Sequence, residues 1–172
     1  MGQTNQMVGG LADVAAENAL DTIAINKIEV LSNRLVPGSD SCIEHVVVGN
    51  NGVTVIRSVT LKGRVRVTRG DVLVGGVSAN VVVAGLDARV NTVRHLVGGD
   101  MRVQGAIFLT RNKKAPVKEF ESIAIGSPKA VVQHLIAQHC AAAPAANLTS
   151  VAHQLDGMFL PYEKVSGVAP AA

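Results

Sequence analysis

Two β-branched runs flank an asparagine-rich turn, and this pattern limits the possible folds more than any other stretch of the chain. Residues 43 to 49 read IEHVVVG, residues 53 to 59 read VTVIRSV, and Asn50-Asn51-Gly52 stands between them. β-Branched side chains suit a pleated sheet, while Asn and Gly tolerate the backbone angles of a tight reversal. The segment is therefore expected to be an antiparallel hairpin.

The flanking segments extend the sheet and cover it. A helix is expected from Gly9 to about Ile25, where Leu11, Ala15, Ala19 and Ile23 recur at spacings of four. Asp13 and Glu17 share another face of that helix. Ile28 to Leu35 is a strand candidate, and Pro37-Gly38-Ser39-Asp40 is a turn by composition. Beyond the hairpin, Lys62-Gly63 breaks the chain, and Arg64 to Thr68 alternates basic and apolar residues with the period of a strand. Val72 to Val74 follows, and Gly75-Gly76 reads as a turn. From about Ser78 to Val97 the period becomes helical, with Leu86, Val90, Val93 and Val97 on one face. Val103 to Thr110 and Ser122 to Gly126 read as strands, separated by a polar, basic stretch from Arg111 to Lys118. Ser127-Pro128 supplies an N-cap and an N1 proline for a helix to about Gln138. After a linker, Ala141 to Ala146, a last helix from Thr149 to about Met158 turns Val151, Ala152, Leu155 and Met158 inward.

This order predicts an α/β (α+β) domain with a central mixed sheet flanked by helices. The domain is expected over residues 9–161, between a disordered stretch at 1–8 and a flexible tail at 162–172. Apolar residues make up 48% of the chain, yet aromatics are three Phe, one Tyr and no Trp, so Val, Ile, Leu and Ala must build the core. The same scarcity thins the supply of stacking platforms used by single-strand binders. No apolar run reaches the roughly 20 residues of a membrane span. Residues 1–10 carry neither a basic nor an apolar leader segment, so the expected compartment is cytoplasmic, without membrane association. Cys42 and Cys140 have no metal or redox spacing and are expected as reduced, buried thiols.

Few residues suggest chemistry. No Gly-x-Ser-x-Gly elbow is present, and His134 and His139 are five apart, which misses the spacing of two ligands on one helical face. A basic cluster does stand out: Arg57, Lys62, Arg64, Arg66 and Arg69 fall in a stretch with no acidic residue between Glu44 and Asp71. Lys62, Arg64 and Arg66 share strand parity, which makes them either a solvated outer face or a phosphate-contacting one.

The hairpin region also resembles a known family. Val36-Pro37-Gly38-Ser39, the run Ile43 to Gly49, Gly52-Val53-Thr54-Val55-Ile56 and Lys62-Gly63-Arg64-Val65 are similar to the nuclease-related domain (NERD), which typically reads "VPGS…IDHVVVGPxGVxVIDAKxYKGRV". Residues 13 to 21, DVAAENALD, resemble that family's first helix, and the likeness extends with lower density to about residue 161. The resemblance implies a restriction-endonuclease-like fold of the PD-(D/E)xK type. It also implies a phosphodiesterase site in which carboxylates hold Mg²⁺ and a lysine orients the attacking water.

Carried over residue by residue, that site is damaged. The first-helix acid falls on Asp13 and the acid of "IDH" on Glu44. The acid of "VIDAK" falls on Arg57 and its lysine on Val59. A guanidinium repels a divalent cation and an isopropyl group holds no water. What the resemblance then implies is a degenerate site with Asp13, Glu44 and Arg57 as remnants, its cleavage chemistry lost or impaired. Arg57, Lys62, Arg64 and Arg66 remain as a face for DNA or RNA, and no cofactor is expected. Two alternatives stay open. One is an active Mg²⁺-dependent nuclease with Asp13, Glu17 and Glu44 as ligands; the other is a protein-interaction module without catalysis.

Overall fold

The structure, a computed structural model, describes residues 11–24, 28–37, 42–98, 100–143 and 148–161; the side chains of 11–13, 24 and 160–161 are not among what it describes. The stretches 1–8 and 162–172, expected as disordered and flexible, lie outside the described residues, as does most of the turn at 37–40.

The hairpin forms as its sequence dictates. β2 (Cys42–Gly49) and β3 (Gly52–Val59) pair antiparallel, and Gly49 opposes Gly52, so Asn50-Asn51 is a two-residue turn. Gly52 has φ +105°, and a Cβ there would lie 2.1 Å from the Arg102 carbonyl oxygen. That carbonyl accepts from the Val53 N–H at 2.9 Å, so glycine lets the hairpin close against the next sheet segment.

Around the hairpin the chain builds α1 (Leu11–Ala24), β1 (Glu29–Leu35), β4 (Val65–Val67), β5 (Val72–Val74), β6 (Val77–Ser78), α2 (Asn80–Val97), β7 (Val103–Leu109), β8 (Lys118–Phe120), β9 (Ile123–Gly126), α3 (Pro128–Ala141), α4 (Leu148–Met158) and β10 (Leu160–Pro161). The main sheet has seven strands in the order β10-β1-β2-β3-β7-β9-β8. β1, β2 and β3 are antiparallel neighbours, while β3, β7 and β9 run parallel, so the sheet is mixed. α2 makes the crossover from β3 to β7, and β4, β5 and β6 form a second, three-stranded sheet inserted before it.

Helices cover both faces. Val47, Ile56, Ala106, Phe108 and Ala124 meet α1 and α3 on one side. Val46, Val48, Val53, Val55, Ile107, Leu109 and Ile125 meet α2 and α4 on the other. With both faces buried, all seven residues of β7 are buried, and apolar–polar alternation cannot appear there. The α/β (α+β) architecture of a central mixed sheet between helical layers is as expected. Ser127 caps α3, its hydroxyl accepting from the Ala130 N–H, with Pro128 next in the chain. No helix among the described residues is long and apolar enough to cross a membrane.

Several details differ from the sequence reading. β6 and β8 were not expected, because Val77–Ser78 is too short and Lys118–Phe120 too polar to announce a strand. α3 runs to Ala141 instead of ending near Gln138. Met158 is exposed, and Val97 is half-buried because the inward stripe of α2 is Val83, Leu86, Val90 and Val93. Cys140 is exposed and Cys42 half-buried, so neither is the fully buried thiol expected.

Candidate functional site

Strand pairing brings the first two site residues to one end of the hairpin. The β2–β3 pairing ends at His45↔Ile56, and Glu44 and Arg57 are the next residues of the two strands. The Ser58 N–H donates to Glu44 Oε2 at 2.6 Å, which fixes the carboxylate at the Arg57 end of β3. Glu44 has the parity of Val46 and Val48, and Arg57 that of Val53 and Val55, so both belong to the face covered by α2.

α2 completes the arrangement. Arg57 Nη1 lies 3.1 Å from where a Cβ on Gly85 would sit, and Arg89 Nη1 lies 3.7 Å from the same point. Arg89 Nη1 also donates to the Gly85 carbonyl oxygen at 2.9 Å. Two guanidiniums therefore converge on one helical turn beside Glu44, and all three side chains are half-buried. Burial pushes the Arg89 guanidinium below its usual pKa; Arg57 adds to the fall, while Glu44 and Cys42 oppose it. Burial, then the Glu44 charge, holds the Cys42 thiol above its usual value, with Arg89 pulling the other way. At neutral pH Cys42 is thus a neutral thiol at the edge of a cluster of two cations and one carboxylate.

Among the described residues, the donor set around Glu44 does not suit a divalent cation. Mg²⁺ requires several oxygen ligands in a near-octahedral shell, and the groups flanking Glu44 here are nitrogen cations. Val59 is half-buried and packs against the α2-side core, so it serves as a hydrophobic residue. Glu17 is exposed on α1, whose buried residues Ala16, Leu20 and Ile23 lie on the opposite face of the sheet from Glu44. Asp13 lies in the first turn of α1, and its side chain is outside the described residues. Among the described residues, no group of three or more His, Cys, Asp and Glu is placed to hold a metal ion.

The basic stretch is rearranged relative to the sequence reading. β3 ends at Val59, and only Arg66 of the triplet Lys62, Arg64 and Arg66 lies within a strand, opposite Leu73 in β5. The break read at Lys62-Gly63 separates Lys62 from the strand: Gly63, with φ +120°, passes so close to Gly75 that an added Cβ would sit 2.5 Å from the Gly75 Cα. All three cations are nonetheless exposed. The Asn112 side chain donates to the Gly63 carbonyl, which ties a second basic segment, with exposed Arg111, Lys113 and Lys114, to the first.

A polar network occupies the other face, at the turn end of the hairpin. Gln104 Nε2 donates to Thr54 Oγ1 at 3.1 Å and to Gln138 Oε1 at 3.0 Å, and His134 stands 3.2 Å from Glu119. His139 is buried, and its Nδ1 accepts from the Asn50 N–H at 2.8 Å. Both histidines are accounted for by these structural contacts. Two shallow clefts border this network, away from Glu44.

Arg89 is the residue that sequence reasoning missed. Its signal was a glycine inside an amphipathic helix with an arginine four residues later. Gly in a helix interior costs about 0.5–1 kcal/mol relative to Ala, so it often marks a close approach by another group. No protein-family model matches the chain, and neither a curated protein nor a solved structure matches it.

Proposed function

We propose that this chain is a NERD-like domain whose metal-dependent phosphodiesterase site has been lost, and that it binds nucleic acid through exposed cations. The observation that carries this reading is that Arg57 and Arg89 meet at Gly85 of α2, while Glu44 is held by the N–H of Ser58, the residue after Arg57. A site that needs carboxylate oxygens around Mg²⁺ contains two guanidiniums. The mixed sheet between helical layers is compatible with a restriction-endonuclease-like fold, and the hairpin resemblance supplies the link to nucleic acid. Lys62, Arg64 and Arg66, with Arg111, Lys113 and Lys114 beside them, offer phosphate contacts from exposed positions. With four aromatic residues in the whole chain, backbone contacts to a duplex fit this surface better than base stacking.

Fluorescence anisotropy with a labelled 20-mer duplex tests the binding. Affinity should fall steeply as salt rises, by a log–log slope of about 0.9 per phosphate contact. Changing Lys62, Arg64 and Arg66 together to Ala should reduce that slope by up to about 3. Absence of binding at low salt contradicts the nucleic-acid reading and favours a protein-interaction module.

A further inference from the structure

Resting on the proposed nucleic-acid reading, we infer that Asn112 is a positioning residue whose side chain holds two exposed basic segments as one surface for the phosphates of a duplex. The segment with Lys62, Arg64 and Arg66 follows β3, and the segment with Arg111, Lys113 and Lys114 follows β7. β3 and β7 are parallel neighbours, with Val59 opposite Leu109, so both segments leave the sheet at the same end. The Thr110 N–H and hydroxyl both donate to the Val59 carbonyl oxygen, at 3.0 and 3.2 Å, and carry the contact one residue past the strands. Beyond that point the Asn112 amide donates to the Gly63 carbonyl oxygen and so spans from one segment to the other. Each segment is also fixed on its own side. The Gly75 N–H donates to the Arg64 carbonyl oxygen at 3.0 Å, and the Asn112 N–H donates to that of Leu109 at 3.0 Å.

Charge points to the occupant. Asn112 is half-buried, while all six cations are exposed, and among the described residues none of them is in an ion pair. The nearest acids in sequence are engaged elsewhere: Asp71 Oδ1 accepts from Asn80 Nδ2 at 2.6 Å, and Glu119 stands 3.2 Å from His134. Like charges on tied segments raise the local positive potential, and a row of phosphates contacts several of them at once. Segments already held in place meet that row without a further ordering cost.

Anisotropy titrations of the labelled duplex over a salt series test this with three variants beside wild type. Changing Arg111, Lys113 and Lys114 together to Ala should lower the log–log salt slope by up to about 3. Asn112→Ala removes no charge, yet should weaken low-salt binding about tenfold, because the second segment must then be ordered on the duplex. Added to the triple charge variant, Asn112→Ala should have no effect, since nothing remains for it to position. A purely structural role weakens binding equally in both backgrounds. Asn112→Ser, whose side chain is too short to reach Gly63 as the amide does, is the second variant if Asn112→Ala does not fold. An unchanged slope in the triple variant, or the same Asn112 effect in both backgrounds, overturns the inference and leaves Lys62, Arg64 and Arg66 as the binding face. No duplex binding by wild type at low salt removes the nucleic-acid reading itself, and the positioning role with it.

Discussion

Phe108→Ala should cost about 3–5 kcal/mol, the range for truncating a fully buried aromatic. Phe108 has 0% exposure in β7, where it packs with Ala16, Leu20, Ile56 and Val131 between α1 and α3. Its sheet neighbours are Ser58 on β3 and Gly126 on β9, neither of which can fill the void. The chain has three Phe and no Trp, and the surrounding aliphatic residues are held by two parallel strand pairings. The cavity should therefore collapse little. At about 2–4 °C per kcal/mol for a domain of this size, the midpoint of thermal unfolding should drop by about 10 °C or more. Phe120, half-buried on the edge strand β8, is the internal comparison. Its truncation should cost about 1 kcal/mol. Equal, small losses at both positions would contradict the two-layer core.

Glu44→Ala should be the next largest effect, and its sign matters more than its size. The carboxylate accepts the Ser58 N–H at 2.6 Å and is the anion of the Arg57–Arg89 cluster. Removing it leaves a backbone donor without that acceptor and two cations facing each other. A loss of about 2–3 kcal/mol is expected, less than for a fully buried pair because all three side chains are partly wet. Added salt should recover part of the loss by screening the arginines. Glu44→Gln keeps an acceptor for Ser58 and should lose less. A carboxylate retained to bind metal behaves in the opposite way, since removing such a group commonly stabilises the protein. Denaturant midpoints for the two variants at low and high salt read both the sign and the screening. Stabilisation by Glu44→Ala would place the residue in a metal site after all.

Sequence alone showed much of the fold and half of the cluster. Asn50-Asn51 and the Val-rich runs announced the hairpin because turn chemistry and β-branching are local properties. Ser127-Pro128 announced α3 for the same reason. β8 stayed hidden, since Lys118-Glu119-Phe120 becomes a strand only by pairing with β9. The even spacing of Lys62, Arg64 and Arg66 suggested one strand face, but the close passage of Gly63 and Gly75 is a long-range contact that spacing cannot reveal. Glu44 and Arg57 were linked through the family resemblance, as positions of one expected site. Arg89 was not, because only tertiary packing brings the middle of α2 over the end of β3. Val59 was read as a lost catalytic position, and its role in the core emerged from what covers that face.

If the proposed NERD-like reading holds, guanidiniums stand where such a nuclease would hold magnesium. Incubating the purified protein with duplex DNA and either Mg²⁺ or Mn²⁺, with gel analysis over hours, measures it most directly. The account predicts intact DNA at every metal concentration. Cleavage that requires the metal and disappears in Glu44→Ala would contradict it.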